Sequence, residues 1–251
     1  ENCTVNVTVS NPMGDGSNRT ATGGVVGKTI DSAVKIKNCI VRGVVEITKG
    51  INNTYTGGIV GWQSAAGAEI TGCEVYATVK SAGERVGGIV GDLGTGSSVR
   101  RCYVSGNITG WAGVGGIVGR AGGLVWNANG NGYDNTIESC IAWFDNITAT
   151  RGDENGGSSG IIVGYAGTKN TLKNCWRKST VTLTANYCSE VYDQEDADAT
   201  TPLMINAVPS MYTYIYPYHG KAAETTATSL AQSLGWSTDV WDLSGSEPKL
   251  K

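Results

Sequence analysis

Cysteine is the residue type in this chain whose number and spacing most suggest chemistry. A zinc site needs cysteines or histidines at short spacing, but the sequence contains no Cys-x-x-Cys and a single histidine, His219. Six of the seven cysteines instead follow one another at intervals of 36, 34, 29, 38 and 35 residues. They are Cys3, Cys39, Cys73, Cys102, Cys140 and Cys175. One cysteine per interval predicts a ladder of inward-facing reduced thiols about 4.8 Å apart, and parallel Cβ directions oppose disulfides between them.

The seventh cysteine, Cys188, lies outside this spacing, and the sequence is compatible with either a free thiol or a disulfide at this position. We expect neither a metal ion nor a cofactor. An acidic cluster at residues 193–198 could hold calcium, but its spacing is not that of an EF-hand loop. A solvated acidic turn is the interpretation that the spacing favours.

Paired carboxylates would be the chemistry of a polysaccharide lyase or hydrolase. Asp92, Asp134, Asp145 and Asp153 lie in separate segments and do not share a position in the cysteine interval. The sequence therefore predicts no catalytic residues.

Aromatic residues in the variable segments are the candidates for ligand binding, because a flat ring with a polar tip can stack on a sugar. The candidates are Tyr55, Trp62, Trp111, Trp126, Tyr133, Trp143, Tyr214 and Tyr216. Packing within the protein is the alternative for them. Arg151, Gly152 and Asp153 form an integrin-type cell-attachment tripeptide, for which ordinary loop chemistry is the alternative.

A repeated glycine motif must position these side chains. Gly-Gly-Val-Val-Gly at Gly23–Gly27 recurs as Gly-Gly-Ile-Val-Gly at Gly57–Gly61, Gly87–Gly91 and Gly115–Gly119, and as a variant at Gly160–Gly164. A repeat of about this length is typical of a solenoid. We expect its structural glycines to occupy tight corners that need a positive φ or a close backbone approach. These glycines are Gly24, Gly58, Gly88, Gly116 and Gly160.

An alternation of buried-type and polar residues follows each repeat cysteine. Cys73, Val75, Ala77 and Val79 are one example, and a period of two is typical of a strand with one buried face. Residues 1–188 are therefore predicted to be all-β, as a right-handed parallel β-helix of about five to six coils of ~35 residues.

The remaining segment, residues 189–251, is predicted to form a small C-terminal cap. It combines the acidic turn, a Tyr-rich stretch, one short helix within Thr225–Leu234 and a Trp-containing end. Trp236, Val240, Trp241, Pro248 and Leu250 are predicted to plug the open end of the solenoid, whose strand edges need cover.

Composition and charge restrict the partners. The net charge is −3 and no basic stripe occurs, which argues against nucleic acid and anionic membrane surfaces. No run of ~18 apolar residues is present, so no segment is expected to span a membrane. The sequence starts at Glu1 without Met, and we expect a targeting segment to lie outside it. A monomer is expected.

The glycine motif resembles the GLUG repeat, over about Glu1 to Cys188. That repeat occurs in large bacterial surface proteins, including adhesins of gut Bacteroides and the non-catalytic parts of IgA1-specific metallopeptidases. The resemblance implies a β-helical scaffold on the cell surface or outside the cell. The zinc-peptidase motif of those enzymes is absent from this sequence.

Three functions follow as hypotheses. The first is a non-enzymatic adhesin or binding scaffold for host or microbial surface glycans or proteins. The alternatives are a polysaccharide lyase or hydrolase on a β-helix, and a passive spacer within a larger surface protein.

Overall fold

A computed structural model describes residues 1–12, 19–50, 52–122, 134–151, 159–167, 169–185, 191, 193–194, 196–197 and 216–251. About half of the described residues lie in β-strands, and one short α-helix lies near the C-terminus. The predicted all-β class is therefore confirmed.

The strands recur in the same order in five successive repeats. The first repeat contains β1 (Thr4–Asn11), β2 (Thr20–Gly23), β3 (Val26–Thr29) and β4 (Lys35–Lys37). The second contains β5 (Ile40–Ile47), β6 (Thr54–Gly57), β7 (Val60–Gln63) and β8 (Glu69–Thr71). The third contains β9 (Glu74–Val75), β10 (Thr78–Ser81), β11 (Glu84–Gly87), β12 (Val90–Leu93) and β13 (Ser98–Arg100).

The fourth repeat contains β14 (Tyr103–Val104), β15 (Ile108–Gly110), β16 (Ala112–Gly115), β17 (Val118–Ala121) and β18 (Thr136–Glu138). The fifth contains β19 (Ile141–Ala142), β20 (Asn146–Ala149), β21 (Ser159–Gly160), β22 (Val163–Ala166) and β23 (Thr171–Lys173). The chain ends with β24 (Trp176–Lys178), β25 (Thr182–Ala185), β26 (Tyr216–Tyr218), β27 (Lys221–Ala223), α1 (Ala227–Ser233), β28 (Trp241–Asp242) and β29 (Lys249–Leu250).

Among the described residues these strands form four large sheets. Sheet A has the order β25-β20-β15-β10-β5-β9-β14-β19-β24-β27, with β1 paired to β5. Sheet B is β2-β6-β11-β16-β21, sheet C is β26-β22-β17-β12-β7-β3, and sheet D is β23-β18-β13-β8-β4. Equivalent strands of successive repeats pair in parallel, for example Val86 with Val114 and Val99 with Ile137. Each repeat therefore passes through the same sheets in the same order.

The alternation after each cysteine gives the core its inward rows. Cys73, Val75, Ala77 and Val79 are all fully buried, as the period of two predicted. Many of the other residues of the same cluster are valine and isoleucine. Branched side chains suit this pleated, two-sided packing because their stiff χ1 loses little freedom in a strand.

A left-handed residue precedes every repeat cysteine, and the sequence analysis did not anticipate it. Asn38 has a φ of 53°, Gly72 66° and Arg101 50°; Asn2, Ser139 and Asn174 adopt the same conformation. Asn and Gly tolerate this region best. The turn places the cysteine inward, where each described thiol from Cys39 onward lies within reach of the carbonyl oxygen two residues before it.

The left-handed residue before each cysteine predicts different effects for two substitutions. Gly72→Ala should destabilise the protein by about 1–2 kcal/mol, because it puts a Cβ at positive φ and 2.6 Å from the Asn38 side-chain oxygen. Arg101→Gly should be neutral or stabilising by up to about 1 kcal/mol, since it relieves that strain at an exposed position. Urea unfolding of the two variants checks this, and equal destabilisation of both would contradict it.

The repeat glycines allow the backbones of neighbouring repeats to approach closely, and none of them has a positive φ. A Cβ on Gly58 would lie 2.1 Å from the Gly88 carbonyl oxygen, and a Cβ on Gly88 2.1 Å from that of Gly116. Gly160 is the first glycine of its motif and pairs with Gly115; it too has a close backbone approach, because a Cβ on it would lie 2.2 Å from the Val163 carbonyl oxygen. Ile161 occupies the second position of this motif, where the other repeats have glycine. The Ile161 N–H donates to His219 Nδ1 at 3.3 Å.

The C-terminal segment covers strand edges at one end of the sheets. β26 pairs antiparallel with β22, β27 pairs in parallel with β24, and Ala197 bridges Leu172. The predicted helix is confirmed as α1, with Thr226 as its N-cap accepting from the Ser229 N–H at 3.1 Å. Gly235 follows it with a φ of 67°.

The Trp-containing end does not plug the solenoid as expected. Residues 224–251, here called the C-terminal strap, pack sideways on the outer face of sheet A. Trp236 and Trp241, whose ring centroids are 4.5 Å apart, join a second core cluster with Tyr103 and Ile141. The strap reaches back to the first repeats, where it borders a cavity of about 310 Å³. The outward positions of sheet A are apolar at this face, and burying them stabilises the lateral position.

Glu74 is a buried carboxyl group between the strap and sheet A. It accepts hydrogen bonds from the Leu250 N–H at 3.1 Å and from the Tyr76 hydroxyl. Burial raises the pKa of Glu74, and these hydrogen bonds only partly oppose it.

Glu74 should therefore make the protein less stable as pH rises. A raised pKa in the folded state favours folding at low pH, and that stabilisation is lost as pH increases above about 4.5 through the folded pKa. We expect Glu74→Gln to be more stable than the wild type at pH 8, and the difference to disappear near pH 4. Unfolding midpoints measured across this range check the sign, and a wild type that is the more stable at pH 8 would refute it.

Candidate functional site

The six repeat cysteines are free thiols in the structure. Cys39 through Cys175 are buried and Cys3 is partly buried. Burial raises the pKa of the Cys102 and Cys175 thiols, and a buried neutral thiol behaves as a small hydrophobic group. These side chains serve packing, and Cys188 lies outside the described residues.

A thiol count tests this assignment. We expect a thiol-specific reagent to label few cysteines in the native protein and at least six after denaturation without reductant, because buried neutral thiols do not react. Three disulfides found by mass spectrometry would contradict it.

One outward row crosses sheet C through all five repeats. Lys28 pairs with Trp62, Trp62 with Asp92, Asp92 with Arg120, and Arg120 with Tyr165. The Arg120 Nε donates to Asp92 Oδ1 at 2.9 Å, and its Nη2 donates to the second carboxylate oxygen. This bidentate pair is nearly buried, and such a pair fixes geometry more than it adds stability.

The neighbouring sheet B contributes a second set of side chains on the same side. Tyr55 stacks on Trp62 with ring centroids 4.7 Å apart and planes 18° apart. The Arg85 guanidinium lies 4.9 Å from the centre of the Tyr55 ring, and its Nη2 is 3.1 Å from Glu84. Burial raises the pKa of the Tyr55 hydroxyl.

Three further cations lie over the rings of this surface. Arg19 and Lys28 lie 5.0 Å and 4.0 Å from the centre of the Trp62 ring. Arg151 lies 4.3 Å from the centre of the Trp111 ring, and Trp111 directly precedes β16 of sheet B. We call the whole set the cation–aromatic face: Arg19, Lys28, Tyr55, Trp62, Glu84, Arg85, Asp92, Trp111, Arg120, Arg151 and Tyr165.

Arg85 is the strained member of this face. It has a φ of 57°, is buried, and its Nε has no hydrogen-bond partner. Gly113, which follows in the next repeat, has a similar φ of 61°. The pairing of β11 with β16 runs from Glu84 directly to Val86, so both strands have a local irregularity here.

The structure brings three of the predicted ligand-binding residues and one residue of the predicted cell-attachment tripeptide to one surface. Tyr55, Trp62, Trp111 and Arg151 all belong to the cation–aromatic face. Tyr55 is 2% and Trp62 9% exposed, so their rings are covered by neighbouring side chains and leave little surface for a sugar. Trp143 packs at the C-terminal strap instead.

The other predicted site residues cannot be placed. Trp126, Tyr133, Gly152, Asp153 and Tyr214 lie outside the described residues, and only the backbone of Tyr216 is described, in β26.

Three of the carboxylates weighed as catalytic groups lie on different parts of the chain: Asp92 in β12, Asp134 shortly before β18 and Asp145 just before β20. Asp92 binds Arg120, and Asp145 binds Lys178 on the exposed part of sheet A. Within the described ranges no three His, Cys, Asp or Glu side chains converge as a metal site. His219 is buried, and Asp153 lies outside the described residues.

Sequence analysis did not single out five charged members of the cation–aromatic face: Arg19, Lys28, Glu84, Arg85 and Arg120. Tyr55 and Trp62, Arg85 and Asp92, and Gly113 and Arg120 each lie seven residues apart across a glycine motif. That spacing was the available signal, because the motif turns the chain so that the two flanking residues face the same side.

The fold and this face define an all-β protein of stacked parallel repeats. Comparisons with known proteins agree with this description of the fold. The family model described as the GLUG motif matches residues 82–109, which include β11, β12, β13, β14 and the first two residues of β15. A comparison with curated proteins finds no match.

A solved structure supports the fold over nearly the whole chain. It is described as a "putative immunoglobulin A1 protease from Bacteroides ovatus" and matches with a TM-score of 0.68 at 24% sequence identity. The match covers 98% of this chain and 66% of that one, so this chain spans about two-thirds of its length. At this identity the likeness shows the fold alone.

No helix in the described part of the chain has the length and hydrophobicity needed to cross a bilayer.

Proposed function

We propose that this chain is a non-enzymatic binding scaffold of a larger surface or secreted protein, folded as a right-handed parallel β-helix. The handedness follows the general preference of parallel crossover connections. The GLUG match and the Bacteroides ovatus neighbour are consistent with a surface or secreted protein domain.

The in-register stacking of the repeats is the observation that carries this proposal. Equivalent positions of successive repeats become one continuous outward row, as Lys28, Trp62, Asp92, Arg120 and Tyr165 do on sheet C. Rows of this kind give an extended, shallow surface, and solenoids use such surfaces for binding. Binding should be weak at each site, with avidity supplied by repetition in the parent protein.

The proposed ligands are host or microbial surface glycans or proteins. They would be bound by the variable loops or by the cation–aromatic face. The absence of catalytic activity is part of the proposal. It is supported by Asp92 and Asp145, whose carboxylates are each engaged by a cation.

An array of plant, host and mucin glycans together with host matrix proteins tests this proposal against a passive spacer. The purified chain should be retained reproducibly by at least one class of ligand, and retention should increase when the chain is presented in several copies. Retention by none of them in the multivalent format would favour the spacer and overturn the binding function.

A further inference from the structure

Positive charge is concentrated on the cation–aromatic face, although the chain as a whole has a net charge of −3. Five cationic side chains and two carboxylates lie there among the described residues. The carboxylates, Glu84 and Asp92, bind Arg85 and Arg120 within the face. Arg19 and Lys28 are therefore not neutralised by these two carboxylates.

Arg19 and Lys28 are the cations that a ligand can reach. Both are exposed, and neither forms an ion pair with a carboxylate in the described part of the chain. Their contacts with the nearly buried Trp62 ring hold both charges beside one fixed surface. Positions fixed in this way reduce the entropy that a ligand must otherwise overcome.

We propose that the cation–aromatic face binds an acidic polysaccharide through Arg19 and Lys28. Carboxylate or sulfate groups of the sugar accept hydrogen bonds from the guanidinium and the ammonium group. Trp62 positions the cations and does not stack on the sugar. This assignment rests on the proposed binding function and names its ligand class.

The spacing of the face favours a polymer over a single sugar. Trp62 belongs to the second repeat and Trp111, with Arg151 over it, to the fourth. Two strand spacings separate these repeats, or about 10 Å along the stack. A ligand that spans both aromatic residues must therefore extend beyond one sugar unit.

A nucleic acid fits this face less well than a glycan. Binding of single strands depends on open aromatic rings on which bases stack, and the Trp62 ring is covered by its own cations.

Affinity electrophoresis in gels containing polygalacturonate tests the proposal. The double variant Arg19→Gln, Lys28→Gln should bind at least tenfold more weakly than the wild type. The matched control Lys35→Gln, Lys173→Gln removes two exposed sheet D cations, makes the same change in net charge, and should bind within twofold of the wild type. Wild-type binding should weaken steeply with salt and should be absent for neutral dextran.

Three results would overturn it: no wild-type retention by polygalacturonate or heparin, equal weakening of both double variants, or stronger retention by single-stranded DNA. If one of these results is found while the same wild-type sample retains a neutral glycan or a host protein, this assignment fails but the binding scaffold stands. Retention of nothing on the multivalent array would remove the scaffold proposal and the assignment together.

Discussion

Replacing Gly88 by alanine is expected to destabilise the protein by about 3 kcal/mol or more. The new Cβ would lie 2.1 Å from the Gly116 carbonyl oxygen, 2.7 Å from Val104 Cγ1 and 2.9 Å from Ile108 Cδ1. The first of these is backbone, and it belongs to the next repeat in the stack. The repeat spacing would therefore have to increase locally, which disturbs the parallel pairing on either side.

Gly167→Ala is the matched control, because its Cβ would meet its nearest neighbour, the Ala121 carbonyl oxygen, at 3.6 Å. We expect it to change the free energy of unfolding by no more than about 0.5 kcal/mol. Urea unfolding monitored by tryptophan fluorescence measures both variants. Equal stability of Gly88→Ala and the wild type would show that the repeats do not approach as closely as the structure places them.

Acid should destabilise the protein strongly through His219. This side chain is 1% exposed, and its Nδ1 accepts from the Ile161 N–H at the end of the glycine-motif stack. Burial lowers the pKa of His219 to about 3, with a smaller effect from the Arg177 charge. The unfolded state binds the proton near pH 6.5 while the folded state does not, so stability falls as pH drops from about 6.5 to about 3.

The expected loss is about 1.4 kcal/mol for each pH unit within that window. His219→Asn keeps an acceptor near the Ile161 N–H and removes the titration. Its absolute stability at pH 7 should be lower because the smaller side chain leaves a gap, but its stability should fall less steeply between pH 6 and pH 4. Gly167→Ala, which leaves the histidine in place, should retain the wild-type slope. Parallel pH profiles of His219→Asn and the wild type would contradict the buried neutral imidazole.

The local pattern was sufficient to predict the stacking. One cysteine and one glycine motif per interval, followed by alternation such as Cys73, Val75, Ala77 and Val79, implied parallel repeats with an inward row. The helix at Ala227–Ser233 was predictable for the same reason, since its spacing and the following Gly235 are local signals.

The position of the C-terminal strap was not predictable from its own residues. Trp236 and Trp241 are as suitable for covering an end as for covering a side. The informative residues lay elsewhere: Tyr103, Ile141 and Trp176 are apolar at outward positions of sheet A, in register with one another. A strand with apolar residues on both faces needs cover on both.

The cation–aromatic face was only half predicted for a related reason. Tyr55, Trp62 and Trp111 were candidates because of residue type, but Arg85, Arg120 and Tyr165 join them through pairing between repeats. The left-handed conformation of Arg85 has no signature in its own residue type, because arginine rarely adopts a positive φ.

One incubation tests the non-enzymatic scaffold most directly. The purified chain is mixed with pectic polysaccharide, mucin glycans and immunoglobulin A1, and both retention and products are followed over many hours, with reducing ends, unsaturated sugars and peptide fragments as readouts. We predict that ligand is retained and that its chain length does not change. Accumulation of products, abolished by substituting one Asp or Glu in a variant that remains folded, would contradict the account.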